Sequence, residues 1–156
     1  MNATLRRWFA SASALRRVLN LYPPYLGAGI KVTHIAEDFS SASVQMRLHW
    51  YNRNYVGTHF GGSLYSMVDP MYMLLLMRRL GSGYLVWDKS ATIEFLRPGR
   101  GTVSAKFELT DAQLEEIRQA TAEGDKYLPT WDLDIVGEDG EVVARVHKVL
   151  YVRKKG

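Results

Sequence analysis

The chain has 156 residues, 47% of them hydrophobic, which suits a single domain, 1–156, with a core of its own. It has no cysteine, which excludes disulfides, a thiol nucleophile and cysteine-based metal sites, and its four histidines lack ligand spacing. The net charge of +4 is a modest excess that favours anionic partners, and no apolar run reaches the roughly 18–20 residues of a membrane span.

Residues 2–22 hold four arginines and no acid. Leu5, Trp8 or Phe9, Ala12, Leu15, Val18 or Leu19 and Tyr22 fall on one face. This predicts an amphipathic helix, capped by Asn2 or Thr4 and stopped by Pro23-Pro24. Three readings fit it: a helix packed on the domain body, a helix on anionic lipid, or a transit peptide. Packing on the body is the expectation, with residues 1–25 a helical extension of the domain.

Residues 29–38 and 42–50 alternate as a hairpin, with Ile30, Val32, His34 and Ala36 on one face. Val44, Met46, Leu48 and Trp50 share a face in the second strand. A polar loop, 51–60, leads to Gly61-Gly62 and a long apolar helix. In it Leu64, Met67, Val68, Met71, Leu74 and Leu75 recur at helical spacing. That helix ends at Gly81-Ser-Gly83. Four strand-like segments follow: Tyr84 to Leu96, Thr102 to Leu109, Leu128 to Val136 and Glu141 to Val152. A short helix over 111–123, with Thr110 or Asp111 as its cap, lies between the second and third. A turn at Glu138-Asp-Gly140 joins the last two. One apolar helix followed by antiparallel strands predicts an α+β domain, its curved sheet wrapped around that helix.

Asp69 is a carboxylate inside the apolar helix, costly there unless compensated. Burial would raise its pKa and make it a better base. Asp-Pro is also a good helix start, so a capping role for Asp69 competes with a chemical one. If the helix runs through from Gly61, Pro70 removes a donor from the Ser66 carbonyl, which predicts a kink or break over 66–70. Free N–H groups at Gly61 and Gly62 can hold a developing oxyanion. His59 is a candidate acid or base. Phe60, Met67, Met71 and the nearby Met73 are candidates to line an adaptable apolar pocket. Asp88 could approach a reacting group. Arg97 and Arg100, with Arg153, Lys154 and Lys155, could hold phosphates.

The run Asn54-Tyr-Val-Gly57-Thr58-His-Phe-Gly61-Gly62, followed by Asp69, resembles the signature loop of hot-dog-fold acyl-CoA thioesterases. Its pattern, N-x-x-G-T-x-H-G-G with an acid in the next helix, is similar to the phenylacetate-pathway type and to DUF4442 proteins. Phe60 stands where that pattern has histidine, and His59 lies one residue early. VWDKSATIEFLRPGRGTV and VVARVHKVLYVRKK resemble DUF4442 in particular. The resemblance implies a hot-dog fold from about Gly29 onward, in a homodimer or homotetramer with sites at the subunit interface. It also implies thioester hydrolysis without a cofactor: Asp69 as base or nucleophile, Gly61 or Gly62 as oxyanion donor, and Asn54 orienting water or thioester. The expected partner is an acyl thioester on coenzyme A or a carrier protein. Nucleic acid and membrane insertion are not expected, and the expected location is cytoplasmic. A non-catalytic acyl- or lipid-binding protein and a dehydratase or hydratase relying on His59 remain as alternatives.

Overall fold

The structure is a computed structural model that describes residues 11–156. The expected caps Asn2 and Thr4, and the positions Leu5, Trp8 and Phe9, lie outside the described residues. Helix α1 spans Ala12–Leu21 and is capped by Ser11, whose hydroxyl accepts from the Ala14 N–H at 3.2 Å. The two prolines stop α1 and also open a second helix, α2 (Pro23–Ala28), because a missing N–H costs nothing in a first turn.

The strands are β1 (Ile30–Ile35), β2 (Ser41–Arg47), β3 (Tyr84–Phe95), β4 (Thr102–Glu108), β5 (Lys126–Tyr127), β6 (Thr130–Val136) and β7 (Val142–Lys154). They pair antiparallel in one sheet, ordered β1-β2-β4-β6-β7-β3, with the two-residue β5 also on β7. Between β2 and β3 lie α3 (Gly61–Ser66) and α4 (Met71–Leu80). Helix α5 (Asp111–Ala120) follows β4 and starts with a reciprocal cap between Thr110 and Gln113. Met67, Val68, Met71, Leu75 and Leu76 of the central helical stretch are fully buried in one core with Val44, Phe107, Ile135, Val146 and Leu150 of the sheet. This is the α+β arrangement expected, a curved sheet around a central helical segment.

Two strand expectations need correction. A bulge between Val32 and His34 switches the face of β1, so His34 is exposed and Ile35 takes the core position. β2 ends at Arg47, and Trp50 stands away from the core at 81% exposure.

The sheet edges are treated differently. On β1, the Asn20 side chain of α1 donates to the Val32 carbonyl at 3.0 Å and accepts from the Val32 N–H at 2.8 Å, imitating a neighbouring strand. The 12-residue β3 pairs with β7 on one flank, and no described strand covers the other. A long bare edge is a template for pairing with another chain. Among the described residues, no helix is long and apolar enough to cross a membrane.

Candidate functional site

The central helix is broken where Pro70 requires it. Pro70 offers no N–H to the Ser66 carbonyl, and α3 stops at Ser66. The N–H groups of Val68 and Asp69 both turn back to the Tyr65 carbonyl, each at 3.0 Å. α4 starts at Met71 with Pro70 in the N-cap position, and its first bond runs from the Leu74 N–H to the Pro70 carbonyl at 2.9 Å. Asp69 therefore lies in the link between the helices. α4 has no side-chain cap, so the capping role is not the one found.

The Asp69 carboxylate is 45% exposed rather than buried among apolar side chains, and its partner is Lys148 on β7. The Lys148 side chain is completely buried. Its Nζ donates to the Asp69 main-chain carbonyl at 2.5 Å and to Asp69 Oδ1 at 3.4 Å. Asp88 Oδ1, on β3, lies 2.7 Å from the same Nζ. That contact is an ion pair whose angles fall outside hydrogen-bond limits, so Asp88 Oδ1 has charge neutralisation without a directed bond. Burial pushes the Asp88 carboxyl above the usual aspartate range. Lys148 opposes that rise, and the Asp69 charge adds to it. Tyr65 of α3 faces the same cluster, its ring centroid 5.6 Å from Lys148 Nζ. Burial first, then the neighbouring Asp69 carboxylate, pushes the Tyr65 phenol up, so its hydroxyl stays neutral. Four elements, α3, the α3–α4 link, β3 and β7, thus converge on one ammonium.

Sequence reasoning missed Lys148, although the signal was there. Ala144, Val146, Leu150 and Val152 point into the core by alternation, and Lys148 shares their parity. A lysine on the core face of a strand needs a buried partner.

The loop before α3 is ordered by Asn54. Its amide donates to Thr58 Oγ1 at 2.9 Å and to the His59 carbonyl at 3.2 Å. Its Oδ1 accepts from the N–H of Val56 at 3.1 Å and of Thr58 at 3.0 Å. Both donors and both acceptor positions of the amide are thereby engaged. Gly57 takes φ of +79°, the left-handed region that closes this turn.

His59 is 3% exposed and contacts the 99–101 turn, with Nε2 3.1 Å from the Gly101 carbonyl. Nε2 therefore carries the proton, and Nδ1 is buried without a hydrogen-bond partner. Burial lowers the imidazole pKa, which favours the neutral form. Among the described residues, no hydrogen bond or ion pair joins His59 to the Asp69 cluster.

The first bonds of α3 run from the N–H of Ser63 and Leu64 to the Phe60 carbonyl, at 2.9 and 3.1 Å. The N–H groups of Gly61 and Gly62 stand ahead of them at the helix start, where no intrahelical acceptor exists. Aromatic rings crowd both glycines. A Cβ on Gly61 would lie 2.8 Å from the Phe95 ring, and one on Gly62 would lie 2.5 Å from the Phe60 ring. Phe60 and Phe95 are each 56% exposed.

Met67 and Met71 are fully buried core side chains, so the structure does not bring them to the open side of the cluster. Arg97 is paired with Asp139 at 2.9 Å, and Arg100 is exposed. Both line a surface depression of about 300 Å³ with Glu138 and Asp139. A second depression, of about 290 Å³, lies by Arg79 and Asp111. Neither is lined by Asp69 or Lys148, and the chemistry of the charged cluster, not the size of a hollow, selects the site. Among the described residues no group of histidines and acids could hold a metal ion.

The fold is the hot-dog fold. A match to the family model described as "Domain of unknown function (DUF4442)" covers residues 11–152, and the chain belongs to that family. No curated protein matches it. Among solved structures it is similar to PA5026 of Pseudomonas aeruginosa, described as a protein of unknown function and "Probable Thioesterase". The TM-score is 0.81 at 19% identity, over 91% of this chain and 95% of that one. Thioesterase HI1161 of Haemophilus influenzae superposes with a TM-score of 0.67 at 18% identity, over 92% and 91% of the two chains. The E. coli PaaI protein, from the phenylacetic acid degradation operon, gives 0.55 at 20%, over 85% and 83%. At these identities the likeness establishes the fold.

Proposed function

We propose that the protein is an acyl-CoA thioesterase with Asp69 as its reacting carboxylate. The observation that carries this reading is the half-exposed Asp69 carboxylate at the break of the central helix. The thioesterase descriptions of its structural neighbours agree with it. In the hydrolysis Asp69 takes a proton from water, and the hydroxide adds to the thioester carbonyl carbon. The C–S bond then breaks, and the thiolate leaves with a proton returned to it. Direct attack by the carboxylate, followed by hydrolysis of the anhydride, is the other balanced route for the same residue. The N–H groups of Gly61 or Gly62 receive the developing oxyanion, a contribution of about 3–4 kcal/mol for a well-placed donor.

Asn54 contributes by holding the loop that presents those glycines, since its amide is already engaged. Phe60 flanks the entrance on the substrate side. The open edge of β3 pairs with the same edge of a second copy, and the exposed Phe95 and Leu96 at its end are covered in that dimer. The dehydratase alternative would lean on His59, which is committed to Gly101 and lends it no support. Thiol release from acyl-CoAs of graded chain length and from aryl-CoAs tests the proposal. Turnover of at least one class is expected, and silence across the panel with tight acyl binding would replace hydrolase by binding protein.

A further inference from the structure

Lys148 is the most costly side chain in the core. A buried ammonium loses several kcal/mol of hydration, and a well-packed apolar residue of similar volume is often as stable or more so. Neutralising it would take one carboxylate, yet Asp69 and Asp88 both approach it. The three contacts are also unequal. Nζ is 2.7 Å from Asp88 Oδ1 and 2.5 Å from the Asp69 carbonyl, but 3.4 Å from the Asp69 carboxylate. The lysine grips the main chain of residue 69 and touches its carboxylate only loosely.

The helix break explains why that carbonyl is available. In a continuous helix the Asp69 carbonyl would receive the Met73 N–H. Here α4 is entered through Pro70, and the donor the Asp69 carbonyl finds is Lys148. Without it the Asp69 carbonyl would lose this donor beside the reacting group, and the Asp69 N–H bond to the Tyr65 carbonyl would hold the link from one side only.

We infer that Lys148 is a positioning residue for the hydrolysis, holding Asp69 by its main-chain carbonyl with Asp88 as the fixed counter-charge. The carboxylate then projects from a set point, with Lys148 touching Oδ1 alone and the other oxygen left to accept a proton. This rests on the thioesterase reading and adds to it a residue that touches neither substrate nor water.

The test is the double variant Lys148→Met with Asp88→Asn. It leaves no unpaired charge in the core, whereas Lys148→Met alone would strand the Asp88 carboxylate. The double variant is expected to fold, to melt no lower than wild type, and to keep KM. Its kcat should fall about 10²-fold, the scale of a roughly 1 Å misplacement of a reacting group. In an Asp69→Asn background the same pair should lower the residual rate no further, because Lys148 acts through Asp69. An undiminished kcat, a rise in KM alone, additive losses, or an unfolded double variant would each make Lys148 structural or substrate-binding and overturn the inference. A wild type silent toward every acyl-CoA would instead refute the thioesterase reading, and the inference with it.

Discussion

Removing the Asn54 side chain separates two roles that the signature loop assigns to it. Asn54→Ala deletes four hydrogen bonds, to Thr58 Oγ1, the His59 carbonyl, and the N–H groups of Val56 and Thr58. The Val56 bond is exposed, and water can replace it. The other three are partly buried, and a net 0.5–1.5 kcal/mol each gives a loss of about 1.5–4.5 kcal/mol. In a domain of this size, where 1 kcal/mol moves Tm by about 2–4 °C, that is a drop of roughly 3–18 °C. Thermal unfolding by circular dichroism reads the drop. Amide exchange at Val56 and Thr58 shows whether the loss is local, and both amides should exchange faster than in wild type. Turnover falls too, because the loop carries Gly61 and Gly62. An Asn54→Ala protein with wild-type Tm and a protected Thr58 amide, but no turnover, would refute the reasoning and place Asn54 on the substrate.

Three further outcomes follow from the geometry. The Asp88 carboxyl is raised in the folded state, so its ionisation destabilises the fold above that pKa, and acidification through it toward the unfolded value relieves the penalty. The stability of wild type relative to Asp88→Asn, from urea unfolding between about pH 8 and about pH 4, should therefore rise as pH falls; a flat or falling difference would contradict the assignment. Gly57→Ala meets no neighbour within 4 Å but keeps φ of +79°, so it should cost about 1–2 kcal/mol of backbone strain in thermal unfolding, and an unchanged Tm would refute that. The open β3 edge predicts a dimer or larger even-numbered assembly by light scattering at micromolar concentration, where a monomer mass would contradict edge pairing.

The architecture was legible because strand and helix periods alternate cleanly along the chain, and Pro70 announced the helix break by chemistry alone. Bulges were not legible. The extra residue near Thr33 turns His34 outward without changing composition, and a second shift between Asp88 and Ser90 leaves no mark in the alternation. The site was half legible. Asp69 stood out as a charge among apolar residues and Asp88 as a strand carboxylate, but their shared partner lies 60 or more positions away and is joined to them only by the sheet register. The apolar run suggested a buried Asp69, whereas the break puts it in a link with its carboxylate half-exposed. The roles of Asn54 and His59 could not be read from residue type, because each is set by which atoms its side chain already engages.

Asp69→Asn tests the central claim most directly. The change is nearly isosteric and keeps an oxygen for Lys148, but it removes the basic carboxylate. The comparison is kcat on the best acyl-CoA substrate, for variant and wild type at equal folded fraction. A loss of about 10²–10⁴-fold is predicted, the range of general acid–base catalysis. Hydrolysis by the variant at close to the wild-type rate would contradict the account, even with the hot-dog fold intact.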